Sequence, residues 1–136
     1  HLFKNFSIEL MKKKPKLKIY GTNYNTKDGS CIRDFIHVSD IAEIHYLILQ
    51  KINKLNISKI LNCGYNKGTS VLEVANEFRR QSSKKVSIVY TDRRPNDLIK
   101  IIASNNSLNK FIKWKPKFNN LSKIVNSCIV WEKKIN

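Results

Sequence analysis

The sequence predicts an α/β fold in which short strands alternate with amphipathic helices. Three observations carry that expectation: apolar residues recurring at helical spacing, short Ile-, Val- and Tyr-containing runs between those stretches, and turn residues at most boundaries. A chain of 136 residues suits one domain, large enough to bury roughly two thirds of its unfolded surface.

Leu2, Phe3, Phe6, Leu10 and Met11 lie at helical spacing and predict a first helix, which Pro15 closes. Leu17, Ile19 and Tyr20 then read as a strand ending at Gly21, and residues 22–30 carry the Asn, Asp and Gly of a loop. Ile32 to Val38 reads as a second extended segment. Ser39 is positioned as an N-cap with Asp40 in the first turn, and Ile41, Ile44, Ile48 and Ile52 follow on one helical face. A strand is expected over Ile57 to Cys63, followed by a turn from Gly64 to Gly68. Ser70 and Glu73 form a capping box before Val71, Val74, Ala75 and Phe78. Further along come a strand over Lys85 to Tyr90, a polar loop over Thr91 to Asp97 and a short helix around Ser107 to Phe111. The last helix places Leu121, Ile124, Val125, Cys128, Trp131 and Ile135 on one stripe.

A formal net charge of +16 invites a nucleic-acid reading, because basic patches bind phosphate backbones. The excess is mostly Lys scattered from Lys4 to Lys134, with few Arg, so a nucleic-acid groove is not the favoured reading. No apolar stretch approaches the roughly 18 residues of a membrane span, and the opening segment lacks the pattern of a signal peptide. Cys31, Cys63 and Cys128 are widely spaced and lack metal or redox spacing, so reduced, packed thiols in a cytoplasmic protein are expected. His37 and His45 have no ligand-spaced partner and read as structural, and Trp114 and Trp131 read as packing residues.

Two arginine loops carry the chemistry. Arg33 follows the first polar loop, and Arg93 and Arg94 sit in a turn closed by Pro95 and Asp97. Guanidinium groups match phosphate oxygens with a planar fork of donors and stay charged when partly buried. A pair from separate loops can clamp one pyrophosphate. Taken by themselves, these residues favour a plainer reading, in which Arg33 pairs with Asp34 or another carboxylate at a strand end and residues 92–97 are a solvated turn.

The wording of the chain decides between these. PKLKIYGTNY at 15–24, DGSCIRDFIHVSDIAE at 28–43, LNCGYNKGTSVLEV at 61–74, RRPND at 93–97 and WKPKF at 114–118 resemble, in order and spacing, the signature segments of the UDP-glucose 4-epimerase family. The resemblance implies the small mixed α/β substrate-binding lobe of a Rossmann-type nucleotide-sugar enzyme. It also implies that Lys18, Ile19 and Tyr20 present backbone groups to uracil, that Arg33 and Arg94 contact the diphosphate, and that Asp97 holds the ribose hydroxyls. His1 and Leu2 begin the helix that meets the nucleotide. One departure stands in the loop: Asn96 replaces the family's usual Gly before Asp97, and the proline that follows is missing at Leu98 and Ile99.

Family chemistry moves a hydride to NAD and back, with a tyrosine as base. Within 1–136 no GxGxxG loop occurs, and none of Tyr20, Tyr24, Tyr46, Tyr65 or Tyr90 has Lys four residues on. The chain therefore reads as a carboxy-terminal UDP-sugar-binding region. NAD belongs to the parent enzyme, no cofactor is expected to bind this chain, and by itself it is expected to be inactive. Residues 38–64 are expected to pack on the cofactor domain, and the Ile41, Ile44, Ile48 stripe, left uncovered, to drive homo-oligomer formation. Neighbouring activities on the same scaffold, UDP-glucuronate or UDP-pentose 4-epimerisation, and a basic anion-binding module are the alternative functions.

Overall fold

The computed structural model describes residues 1–52 and 58–135. Its elements are α1 (Leu2–Met11), β1 (Lys16–Tyr20), β2 (Ile32–Arg33), α2 (Val38–Ile52), β3 (Thr69–Ser70), α3 (Val71–Gln81), β4 (Ser87–Thr91), β5 (Lys100–Ile101), α4 (Asn106–Phe111) and α5 (Leu121–Ile135). Two small sheets result: β1 pairs β4 in parallel, and β2 lies between antiparallel β3 and parallel β5. The mixed α/β expectation holds.

The core forms where α1, α3 and α5 meet the inner face of β1. Leu17 and Ile19 point inward from β1, while Lys16 and Lys18 stay exposed, as a period of two requires. Phe78 of α3 is fully buried between Phe3 and Phe6 of α1, each ring edge-on at 5.6 Å between centroids. Such pairs contribute about 0.5–1.5 kcal/mol each beyond burial. Lys84 closes the end of α1 by donating to the carbonyls of Leu10, Met11 and Lys12 at 2.9, 3.1 and 3.0 Å. The capping box of α3 forms as predicted: Glu73 N donates to Ser70 Oγ at 3.0 Å and Ser70 N to Glu73 Oε2 at 2.7 Å.

A second centre of order is the buried carboxylate of Asp40. It accepts the Tyr65 hydroxyl at 2.5 Å and the backbone N–H groups of Lys117 and Phe118 at 3.1 and 3.0 Å. Three donors on one carboxylate offset the cost of burying the charge. Tyr65 in turn stacks on Trp114, ring centroids 6.2 Å apart, which confirms Trp114 as a packing residue.

Several expectations are corrected. Helix α2 is capped by His37 rather than Ser39: the His37 carbonyl accepts Ile41 N at 3.1 Å and its ring Nδ1 accepts Ser39 N at 3.1 Å. The extended segment expected over Ile32 to Val38 pairs only at Ile32 and Arg33. The strand expected over Ile57 to Cys63 is not found at 58–63, where Ile60 is 97% exposed; Ile57 itself lies outside the described residues. A segment becomes a strand only where a neighbour completes its hydrogen-bond ladder, and among the described residues no other strand pairs with this one.

The α2 stripe is also corrected. Ile44 is buried and Ile41 and Ile48 are half-buried, so this face is already packed within the chain. Ile52, the last member of the stripe, is 44% exposed, and the other exposed apolar positions of α2 are Val38, Tyr46 and Leu49, at 73%, 60% and 61%. On α5, Ile124, Val125 and Ile129 are buried, but Trp131 is 58% exposed, against the packing role expected of it.

Candidate functional site

Both strands of the parallel pair end at the same level, Tyr20 opposite Thr91. Gly21 follows with φ of 80°, and its N–H donates to Thr91 O at 2.8 Å. A Cβ there would sit 2.3 Å from the Tyr24 ring and 2.8 Å from Arg93 Cγ, so the residue must be glycine. This joint holds residues 92–97 over the carboxyl ends of β1 and β4. Such strand ends are where open α/β sheets hold ligands.

Two adjoining cavities open there. One, of about 350 Å³, lies between the start of α1 and the outer face of β1, lined by His1, Leu2, Asn5, Glu9, Lys18 and Arg94 among others. The other, of about 150 Å³, runs from Lys18 and Tyr20 to Cys31, Arg33, Val71 and Asp97. Leu2, Lys18, Tyr20 and Arg94 border both.

The two arginines of the RRPND loop part company. Arg93 turns away, its guanidinium stacked on Tyr24 at 4.0 Å from the ring centroid and its Nε donating to Asn23 Oδ1 at 2.6 Å. Arg94 turns inward and lies over the Tyr20 ring at 3.9 Å, an aromatic platform that holds the cation beside the cavities. Asn96 takes φ of 59°, the left-handed conformation the family's Gly would supply, and Asp97 N closes the turn on Arg94 O at 3.4 Å. The Asn96 departure therefore leaves the turn intact.

Arg33 Nη2 donates to Asp97 Oδ1, a pair that joins β2 to the loop, while its Nη1 donates to Ile32 O at 2.8 Å. The carboxylate partner that the sequence left open for Arg33 is thus Asp97, not Asp34. Asp34 instead accepts Tyr65 N at 3.1 Å. In the first cavity Glu9 is held ionised: the Lys12 hydrogen bond lowers its pKa, and Lys16 and Lys18 add to the effect.

Of the residues singled out in the sequence, His1, Leu2, Lys18, Tyr20, Arg33, Arg94 and Asp97 all border these cavities. Ile19 does not, because its side chain is buried in the core and only its backbone faces the strand end. Sequence reasoning missed Asn5, Glu9 and Cys31. Asn5 and Glu9 were legible as the polar side of α1, had the cavity's position been known; Cys31 read only as packing.

Away from the cavities, the His37 ring is engaged at both nitrogens. His37 Nδ1 accepts from Ser39, so its Nε2 carries the proton toward Ser127 Oγ at 2.9 Å, and Ser127 donates to Ile124 O at 2.7 Å. A base accepting the serine proton would need the opposite arrangement. Burial raises the pKa of Cys63 and Cys128, as for packed thiols. Among the described residues no group of three His, Cys, Asp or Glu is placed to hold a metal, and no helix is long and apolar enough to cross a membrane.

Residues 1–64 match the family model described as the NAD dependent epimerase/dehydratase family. The UDP-glucose 4-epimerase of Azospirillum brasilense is 39% identical over 135 residues, covering 99% of this chain and 39% of that protein. The UDP-Glc/GlcNAc 4-epimerase of Campylobacter jejuni superposes with a TM-score of 0.87 at 37% identity, over 98% of this chain and 40% of its own. The UDP-glucose-4-epimerase of Stenotrophomonas maltophila, solved with bound NAD and formylated UDP-arabinopyranose, gives 0.90 at 27% identity, over 99% and 40%. The chain thus spans about two fifths of the length of these relatives.

Proposed function

Since this chain belongs to the NAD dependent epimerase/dehydratase family, we propose that its two adjoining cavities bind the uridine diphosphate portion of a UDP-sugar for 4-epimerisation. The parent activity that fits is interconversion of UDP-glucose and UDP-galactose. The observation that carries the reading is the convergence of Arg33, on β2, and Arg94, in the loop that follows β4, on one cavity beside the parallel strand ends. In this reading both guanidinium groups face the diphosphate, Asp97 accepts the ribose hydroxyls, and the backbone of Lys18, Ile19 and Tyr20, with His1 and Leu2, meets the uracil.

The inventory of donors and acceptors closes without breaking the Arg33–Asp97 pair. Arg33 has five N–H donors and commits one to Asp97 and one to Ile32 O, leaving others for phosphate oxygens. Asp97 has two oxygens with about four lone-pair sites, enough to keep Arg33 and accept from two hydroxyls. NAD, in the parent enzyme, supplies the hydride chemistry. What these residues do is hold the nucleotide so that the sugar alone is presented for reaction.

Residues 38–64 are proposed to pack on the cofactor-binding part of the parent polypeptide. Support comes from the exposed apolar positions Val38, Tyr46, Leu49 and Ile60, and from the segment 58–63, which pairs with no strand among the described residues. Left uncovered, the same surface favours association of two copies.

Calorimetric titration with UDP tests the clamp. Arg33→Ala and Arg94→Ala should each weaken binding by roughly 1.5–3 kcal/mol, the worth of a charge-assisted hydrogen bond. Unchanged affinity in both variants refutes it.

A further inference from the structure

We infer that Cys31 is a positioning residue for Asp97, and through it a determinant of ribose recognition; the inference rests on the ribose role proposed for Asp97. Asp97 stands alone in its surroundings. Residues 92–96 and 98–100 are exposed and Asp97 is half-buried, so its carboxylate must be held from outside the loop. Two donors hold it, one per oxygen: Arg33 Nη2 on Oδ1, and the Cys31 thiol on Oδ2 at 3.7 Å. A single donor leaves a carboxylate free to turn about its terminal bond. Two donors on different oxygens fix its plane, and with it the direction of the lone pairs left for hydroxyl groups.

Cys31 is itself anchored. It is 3% exposed, its carbonyl accepts Val71 N at 2.9 Å at the start of α3, and the next residue donates from Ile32 N to Ile99 O at 2.9 Å. The thiol therefore refers the Asp97 carboxylate to α3 and to the β2–β5 pair, the rigid side of the cavity. A sulfhydryl is a weak donor. Its contribution is direction rather than strength, and the effect should appear in discrimination between ligands more than in raw affinity.

The experiment compares UDP with 2′,3′-dideoxyuridine diphosphate, which lacks both hydroxyls, by titration of the 136-residue chain. The unsubstituted chain should prefer UDP by roughly tenfold or more, as expected for hydrogen bonds to a charged group. Asp97→Asn should remove most of that preference. Cys31→Ala should lower it several-fold while leaving affinity for the dideoxy ligand unchanged, and Cys31→Ser, which keeps a donor, should lie closer to the unsubstituted chain. An equal loss for both ligands in Cys31→Ala would reduce Cys31 to a packing residue and overturn the inference. So would an unaltered preference in Cys31→Ala alongside a lost one in Asp97→Asn, with the ribose reading intact. Absence of any preference in the unsubstituted chain, or its survival in Asp97→Asn, would instead remove the ribose role itself.

Discussion

The strand pattern at 16–20 and the one at 57–63 are similarly apolar and equally well bounded, yet only the first becomes a strand. β1 finds β4 in parallel register along its whole length, and its inner face lies on α1 and α3. Residues 58–63 find no neighbouring strand among the described residues. The difference teaches that alternation and β-propensity announce a surface fit for pairing, while the partner decides whether the strand exists. One region of the chain is closed upon itself; the other, α2 with 58–63, is packed on one side and presents Val38, Tyr46, Leu49 and Ile60 on the other.

Asp40 is the sharpest place to break that contrast, because it ties the open region to the closed one. Asp40→Ala strands the Tyr65 hydroxyl and the N–H groups of Lys117 and Phe118. A cost of about 3 kcal/mol or more follows, since each unsatisfied buried group costs about 1–3 kcal/mol. Urea unfolding measures it; a change below about 1 kcal/mol would mean the two regions are not coupled through this carboxylate. The Tyr65 phenol gives a second readout. Burial, then the Asp40 hydrogen bond, raise its pKa, so it should ionise more readily in the variant.

A smaller effect is expected within the closed region at Glu77, whose carboxyl is lowered to about 2, first by the Arg80 hydrogen bond. A depressed carboxyl stabilises the fold above its unfolded pKa and loses that contribution as pH falls through the folded value. Glu77→Gln should thus cost about 1 kcal/mol at neutral pH, in the range of a well-formed surface pair. The deficit should shrink between about pH 4.5 and 2. A deficit independent of pH over that window would show that packing, not charge, is what Glu77 supplies.

The smallest effect belongs to the open region. Ile60→Ser should change the stability of this chain by less than about 0.5 kcal/mol, because nothing covers the side chain. A larger loss would show that Ile60 is packed within this chain after all, and the contrast with β1 would weaken.

How far the sequence carried can be judged at particular residues. The α3 capping box, the alternation of Leu17 and Ile19 and the closing of α1 before Pro15 are local relations, and each is seen. The RRPND turn was legible too, because turn chemistry is written in adjacent residues, whereas the left-handed conformation of Asn96 is seen only in the structure. Cys31 was not legible as more than a packed thiol, since its relation to Asp97 spans 66 positions. Likewise His37 displaced Ser39 as the cap of α2, by a side-chain geometry that spacing does not encode.

By itself, then, the sequence determined the order and period of most of the elements and, through five motifs in register, the family they resemble. Those are properties of neighbours along the chain and of literal wording. Only the tertiary structure decided which of two arginines in one turn faces the cavity, which carboxylate Arg33 meets, which side of α2 is left bare and which strand pattern finds a partner. Each of those depends on what a distant segment brings alongside, and hydrogen-bond ladders, ion pairs and burial are completed only in space.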